Sequence, residues 1–158
     1  MSVSQSQVFE TNSEDETIEL GRTIAATLPR RAVVLLIGNL GAGKTTLGKG
    51  IVSGLGAASP DDVSSPTFTL IHEYGLSSRD DQLLAKGVPV FHIDLYRLDR
   101  PREVATLGLD DLFDRDGVVL IEWGERFPEL IPSEHIEIRI ETLAEARRRF
   151  TVETYLST

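Results

Sequence analysis

The stretch Gly38-Asn39-Leu40-Gly41-Ala42-Gly43-Lys44-Thr45-Thr46 decides the reading of this chain. It fits G-x-x-x-x-G-K-[ST], the phosphate-binding P-loop. The apolar run Ala32-Val33-Val34-Leu35-Leu36-Ile37 before it predicts a buried strand. Thr46-Leu47-Gly48-Lys49-Gly50-Ile51-Val52 after it predicts the start of a helix. The glycines let the backbone turn its N–H groups inward on a tight, partly left-handed path. The helix N-terminus adds unsatisfied donors and a partial positive charge. Lys44 can reach the β- and γ-phosphates, and the Thr45 hydroxyl can ligate Mg²⁺. The ordinary alternative is a glycine-rich turn with an exposed lysine, and the flanking strand and helix argue against it.

A chain of 158 residues is read as a single domain, 1–158, large enough to bury a core. It contains no cysteine, which excludes a disulfide scaffold, a thiolate metal site and a Cys nucleophile, and fits a cytoplasmic protein. No apolar run approaches a membrane span, and Met1-Ser2-Val3-Ser4-Gln5 lacks the pattern of a signal peptide. The formal net charge is −9, which argues against unaided binding to nucleic acid.

Outward from the P-loop, residues Gln5 to Glu10 predict a short edge strand, and Ser13-Glu14-Asp15-Glu16 a capping box. The helix that follows carries Leu20, Ile24 and Leu28 as its apolar stripe, with Pro29 at its end. Ala57 to Ser65 reads as a polar loop and Thr67 to Tyr74 as an alternating strand. Ser77 to Lys86 reads as a hairpin tip or insertion. Strands are expected at Val88 to Ile93, Gly117 to Ile121, Glu134 to Ile140 and Phe150 to Tyr155, with short helices near Pro101 to Thr106 and Gly108 to Phe113. The fold class is therefore α/β: the three-layer fold of P-loop NTPases, with a mixed, mostly parallel sheet flanked by helices.

A P-loop needs a carboxylate at the end of a neighbouring strand to serve Mg²⁺. Asp94 follows Val90-Phe91-His92-Ile93, and Glu122 follows Val118-Val119-Leu120-Ile121, both at the ligand edge of an α/β sheet. The plainer roles are a turn or N-cap residue for Asp94 and an ion-paired rim residue for Glu122. Spacing does not tell which holds the metal and which aligns water; Glu122 is the first choice for the metal. Thr67, in Ser65-Pro66-Thr67, is either a switch-like contact to Mg²⁺ and the γ-phosphate or an ordinary strand start. His72, His92 and His135 lack metal-ligand spacing and read as structural. Trp123 reads as a packing residue or partner contact, Arg97 as a surface ion pair or a stabiliser of phosphate charge, and Arg147-Arg148-Arg149 as a solvated basic patch or one lying near the nucleotide or an acidic partner.

Four segments together resemble one family. They are the P-loop, Ser65-Pro66-Thr67-Phe68-Thr69-Leu70, His92-Ile93-Asp94-Leu95-Tyr96-Arg97-Leu98, and Leu120-Ile121-Glu122-Trp123. Their order is similar to that in TsaE (YjeE), a bacterial P-loop ATPase family that acts in making threonylcarbamoyladenosine beside the tRNA anticodon. The resemblance spans about Ser13 to Arg147. It implies that Gly41, Ala42, Gly43, Lys44, Thr45 and Thr46 wrap the phosphates of ATP. Thr45 and Glu122 would serve Mg²⁺, Asp94 would take the Walker B-like place, and Thr67 would sit in the switch-like loop. Lys44, Asp94, Glu122 and Thr67 would thus form the catalytic set, and Glu14 and Ala146 would flank the adenine.

The same resemblance implies TsaB and TsaD as partners, tRNA reached only through them, and slow ATP hydrolysis by the chain alone. Two departures stand out: Asn39 in place of the family's usual aspartate, and a longer Ser77 to Lys86 stretch. Two other functions share the P-loop. A small-molecule kinase would need an arginine-bearing lid, and that stretch offers only Arg79. A GTP-dependent switch would need Asn-Lys-x-Asp, which the chain lacks.

Overall fold

A computed structural model describes residues 3–39, 41–63, 71–75 and 89–156. Thr67, its Ser65–Leu70 segment, Leu40 and the Ser77 to Lys86 stretch lie outside the described residues.

Seven strands form one sheet in the order β1-β7-β6-β2-β5-β4-β3. They are β1 (Val3–Thr11), β2 (Arg31–Ile37), β3 (Ile71–Tyr74), β4 (Val90–Asp94), β5 (Gly117–Glu122), β6 (His135–Thr142) and β7 (Arg148–Tyr155). The central four, β6, β2, β5 and β4, are mutually parallel; β3 on one side and β7 on the other run antiparallel to them, and β1, antiparallel to β7, runs in their direction again. The sequence explains the division. β2, β4 and β5 are near-continuous apolar runs buried on both faces, as parallel strands between helical layers must be. β6 alternates, burying Ile138 and Ile140 while Arg139 and Glu141 face out, so only one of its faces is covered.

Helices α1 (Glu14–Ala25) and α2 (Lys44–Gly54) cover one face; their Leu20, Ile24, Leu47 and Ile51 pack on Val34, Leu36, Leu120 and Ile138. The short helices α3 (Pro101–Ala105) and α4 (Leu109–Phe113) and the Phe127 turn cover part of the other, through Val104, Leu109, Leu112, Val33, Leu35 and Ile93. α1 and α2 approach closely because glycine occupies the crossing: a Cβ on Gly50 would strike the backbone of Ile18 and Gly21.

α1 starts as expected, with Ser13 Oγ accepting from Glu16 N at 3.1 Å. The returning carboxylate of Glu16 takes the N–H of Asn12, one residue earlier than an ordinary capping box would place it. The helix ends at Ala25, short of the expected stripe. Leu28 is buried all the same, from a tightened turn in which Thr27 N and Leu28 N donate to Ile24 and Ala25. Pro29, which has no N–H and cannot continue a helix, follows. The edge strand β1 is longer than expected because it pairs with β7 along nearly its whole length.

Candidate functional site

The register of the parallel strands assembles the site. Leu36 of β2 lies beside Glu122 of β5, and Glu122 lies beside Asp94 of β4. Three strand ends therefore finish level, and the P-loop leaves β2 at that edge, where ligands bind in open α/β sheets. Gly41 (φ 78°) and Gly43 (φ 113°) take left-handed backbone that a side chain would strain, and Gly43 caps α2 with no side chain of its own. The first N–H groups of α2, those of Lys44, Thr45 and Thr46, belong to the turn in which helical donors lack intrahelical acceptors.

Lys44 is 4% exposed, and its Nζ has no hydrogen-bond partner among the described residues. It rests 3.7 Å above the Trp123 ring, a cation–π contact. Burial lowers the pKa of its ammonium, while Glu122, Glu125 and Asp94 oppose that shift by charge. A buried cation without a donor–acceptor partner is costly, and a polyanion brought to it would remove the cost. Trp123 itself adopts a left-handed backbone, φ 68°, rare for a bulky residue. It carries the chain out of β5, and its ring meets Tyr96 with centroids 5.2 Å apart.

The Asp-Leu-Tyr-Arg and Ile-Glu-Trp segments thus form one unit. Leu95 N donates to Glu122 O at 3.0 Å, and Arg126 Nη1 donates to Tyr96 O at 2.8 Å.

Glu122 and Asp94 are both 4% exposed. Asp94 Oδ1 accepts from Tyr96 N at 2.9 Å, so the turn role foreseen for it is filled, at a strand end beside Glu122. Glu122 Oε2 lies 2.6 Å from His92 Nε2, and His92 is fully buried. The two buried side chains are joined there by a hydrogen bond. His92, read from the sequence as structural, is buried and bonded to one of the two candidate carboxylates. Two adjacent carboxylates and the Thr45 hydroxyl are hard oxygen donors, the set that suits Mg²⁺.

The other foreseen residues fall as follows. Thr45 and Thr46 are half-buried on the first turn of α2. Arg97 is exposed on the Asp94 loop. Glu14 opens α1, and Ala146 lies in the turn between β6 and β7. That turn meets the P-loop, because Arg148 Nε donates to Ala42 O at 3.0 Å. The basic triplet is therefore not a uniform solvated patch: Arg147 and Arg149 pair with Glu10, while Arg148 is half-buried against backbone.

Glu125 was not among the residues foreseen. Its Oε1 is buried with no hydrogen-bond partner among the described residues, and burial raises its carboxyl pKa against the pull of Lys44, Arg139 and Arg126. A hollow of about 450 Å³ opens beside it, lined by Leu35, Ile37, Glu137 and Arg139. The only hint in the sequence is the Glu-Trp-Gly-Glu run. A Cβ at Gly124 would come within 2.8 Å of Leu35 and 2.9 Å of Ile121, so those side-chain methyls would have to shift. A larger hollow of about 780 Å³ touches Arg31, Ala32 and Ile136 at the opposite ends of the parallel strands, away from this chemistry.

Fold and site together define a P-loop protein of the α/β class. The model of the family "Threonylcarbamoyl adenosine biosynthesis protein TsaE" matches residues 11–150, and the chain belongs to that family. It is 39% identical over 115 residues to the tRNA threonylcarbamoyladenosine biosynthesis protein TsaE of Haemophilus influenzae, covering 73% of this chain and 66% of that one. To the Bacillus subtilis protein of the same name it is 38% identical over 143 residues, covering 90% and 82%. The crystal structure of YdiB from Bacillus subtilis superposes with a TM-score of 0.75 at 30% identity, over 99% of this chain and 89% of that one.

Proposed function

We propose that this chain is an accessory ATPase of threonylcarbamoyladenosine synthesis on tRNA, working in the cytoplasm with TsaB and TsaD and meeting tRNA only through them. One observation carries the ATP-binding part of this reading: the buried Lys44 ammonium, without a hydrogen-bond partner, at the start of a helix behind two left-handed glycines. A phosphate chain would supply the negative charge that this place lacks. Family membership supports the pathway.

In this reading Gly41 to Thr46 hold the phosphates, and Lys44 attracts the β- and γ-phosphates. Thr45 and one of the carboxylates Glu122 and Asp94, with Glu122 the first choice, would hold Mg²⁺, which neutralises charge on the transferred phosphoryl group. The carboxylate not used for the metal aligns water, and His92 keeps Glu122 in one orientation. Glu14 and Ala146 would flank the adenine, and Thr67 would approach the γ-phosphate. Turnover by the chain alone would be slow, because charge stabilisation is completed by its partners.

Calorimetric titration with ATP and GTP, followed by phosphate release with and without TsaB and TsaD, tests the reading. ATP should bind in preference to GTP, and the partners should raise the rate. GTP preference, rapid turnover by the isolated chain, or phosphoryl transfer to a metabolite in place of phosphate release would each overturn it.

A further inference from the structure

We infer that Arg148 is a positioning residue for the phosphate cradle: it locks the Ala42–Gly43 peptide plane and ties it to the turn between β6 and β7. The inference rests on the nucleotide-binding reading above.

Arg148 begins β7, at the end of the sheet level with Thr11 of β1 and Thr142 of β6. Its guanidinium is directed at backbone carbonyls. Nε donates to Ala42 O at 3.0 Å, across more than a hundred residues of sequence. Nη1 is shared among Ala144 O at 3.0 Å, Arg147 O at 3.1 Å and Glu145 O at 3.2 Å. A rigid, always-charged fork suits this arrangement, and a lysine could not span it.

The consequence follows from amide geometry. In a trans peptide the C=O of one residue and the N–H of the next point in opposite directions. Holding Ala42 O toward β7 therefore turns Gly43 N–H away from it, toward the inner side of the loop. Glycine's freedom makes this hold necessary. Gly41 and Gly43 flank Ala42, and both have wide backbone latitude, so the intervening peptides could rotate at little cost. Ala42 N donates to Asn39 O at 3.0 Å, which ties the plane before Ala42, and Arg148 ties the plane after it. The loop's inward N–H groups are thus set before any phosphate arrives, so less ordering remains to be done on binding. The same guanidinium fixes the turn containing Ala146, so the two ends of a bound nucleotide would face segments clamped to one another.

The test uses the full chain, Arg148→Ala and Arg148→Lys, with Arg147→Ala as the control because Arg147 binds Glu10 and not the loop. Each is titrated with Mg²⁺–ATP and with Mg²⁺–tripolyphosphate, which has neither base nor ribose. Arg148→Ala and Arg148→Lys should weaken both ligands by the same factor, roughly tenfold, the scale of one hydrogen bond to a charged group. Arg147→Ala should leave both unchanged. In the ligand-free Arg148→Ala protein the Gly43 amide resonance should shift or broaden, which a general loss of stability would not cause.

Unchanged tripolyphosphate affinity, or an unmoved Gly43 resonance, overturns the inference. Should the variants fail to fold, exchange of the Arg148 Nε–H in the natural chain decides. It should be slow, and slower with tripolyphosphate; fast exchange indifferent to the ligand overturns the inference. If the natural chain binds neither ligand, the nucleotide-binding reading fails first, and the Gly43 resonance still reports on the lock.

Discussion

Buried polar groups behave in opposite ways at two places in this molecule. Where β1 runs into α1, the hydroxyls of Thr11 and Thr17 meet at 2.7 Å, and Thr17 also bonds to the Ser13 carbonyl at 3.1 Å. Beneath the P-loop, Lys44 Nζ, His92 Nδ1 and Glu125 Oε1 are buried without hydrogen-bond partners among the described residues. An unmade buried hydrogen bond costs about 1–3 kcal/mol, more for a charged group. The first region is satisfied by the chain alone. The second leaves charge and hydrogen-bonding capacity unused among the described residues.

The largest effect expected concerns Lys44. Lys44→Ala should weaken ATP by about a hundredfold or more, about 2.7 kcal/mol, while the melting temperature holds or rises. An unchanged affinity would mean that the reserve of charge beneath the P-loop has another use. Calorimetry and thermal unfolding on one preparation read both quantities.

Gly50→Ala probes the packed side. Its Cβ would strike the Ile18 and Gly21 backbone, and the helices must separate. A loss of about 2–3 kcal/mol in urea unfolding is expected, with ATP affinity of the folded fraction unchanged. A neutral result would show the α1–α2 contact to be softer than its geometry.

Thr17→Val should cost about 1–2 kcal/mol by leaving Thr11 unpaired in a buried place. No cost would remove the contrast between the two regions.

The smallest effect comes from Glu125→Gln, and it has the opposite sign. Burial raises the Glu125 pKa above the ordinary 4.5, so the folded state holds this proton more tightly than the unfolded chain does. Stability from this group is therefore complete below about pH 4.5 and is lost as pH rises through the elevated value. The glutamine variant should melt a few degrees higher at neutral pH, by about 2–4 °C per kcal/mol recovered, and the difference should vanish near pH 4. A lower melting temperature at neutral pH would mean that Glu125 serves Lys44 more than burial costs it.

Much of this was legible beforehand, for reasons that particular residues make plain. The P-loop, the Ser13 cap, the β5 run and the positions of Asp94 and Glu122 rest on local rules: glycine torsions, side-chain capping, and apolar strands ending in a carboxylate. The Arg148–Ala42 bond, the burial of Glu125 and the His92–Glu122 bond were not legible, because their partners lie far off in sequence or across a turn. Nothing in Arg147-Arg148-Arg149 marks the middle residue as the one that reaches Ala42. Leu28 misled about the length of α1, because a buried residue after a helix continues the same stripe.

By itself, then, the sequence determined the class of fold, the glycine-rich loop between β2 and α2 and the family, since these depend on residue types at fixed short spacings. Which carboxylate His92 bonds to, which arginine reaches the P-loop, and which buried groups go without partners among the described residues were decided only by the tertiary structure. The physical reason is that hydrogen bonds and desolvation depend on distances of about 3 Å between residues that strand register, not chain order, brings together.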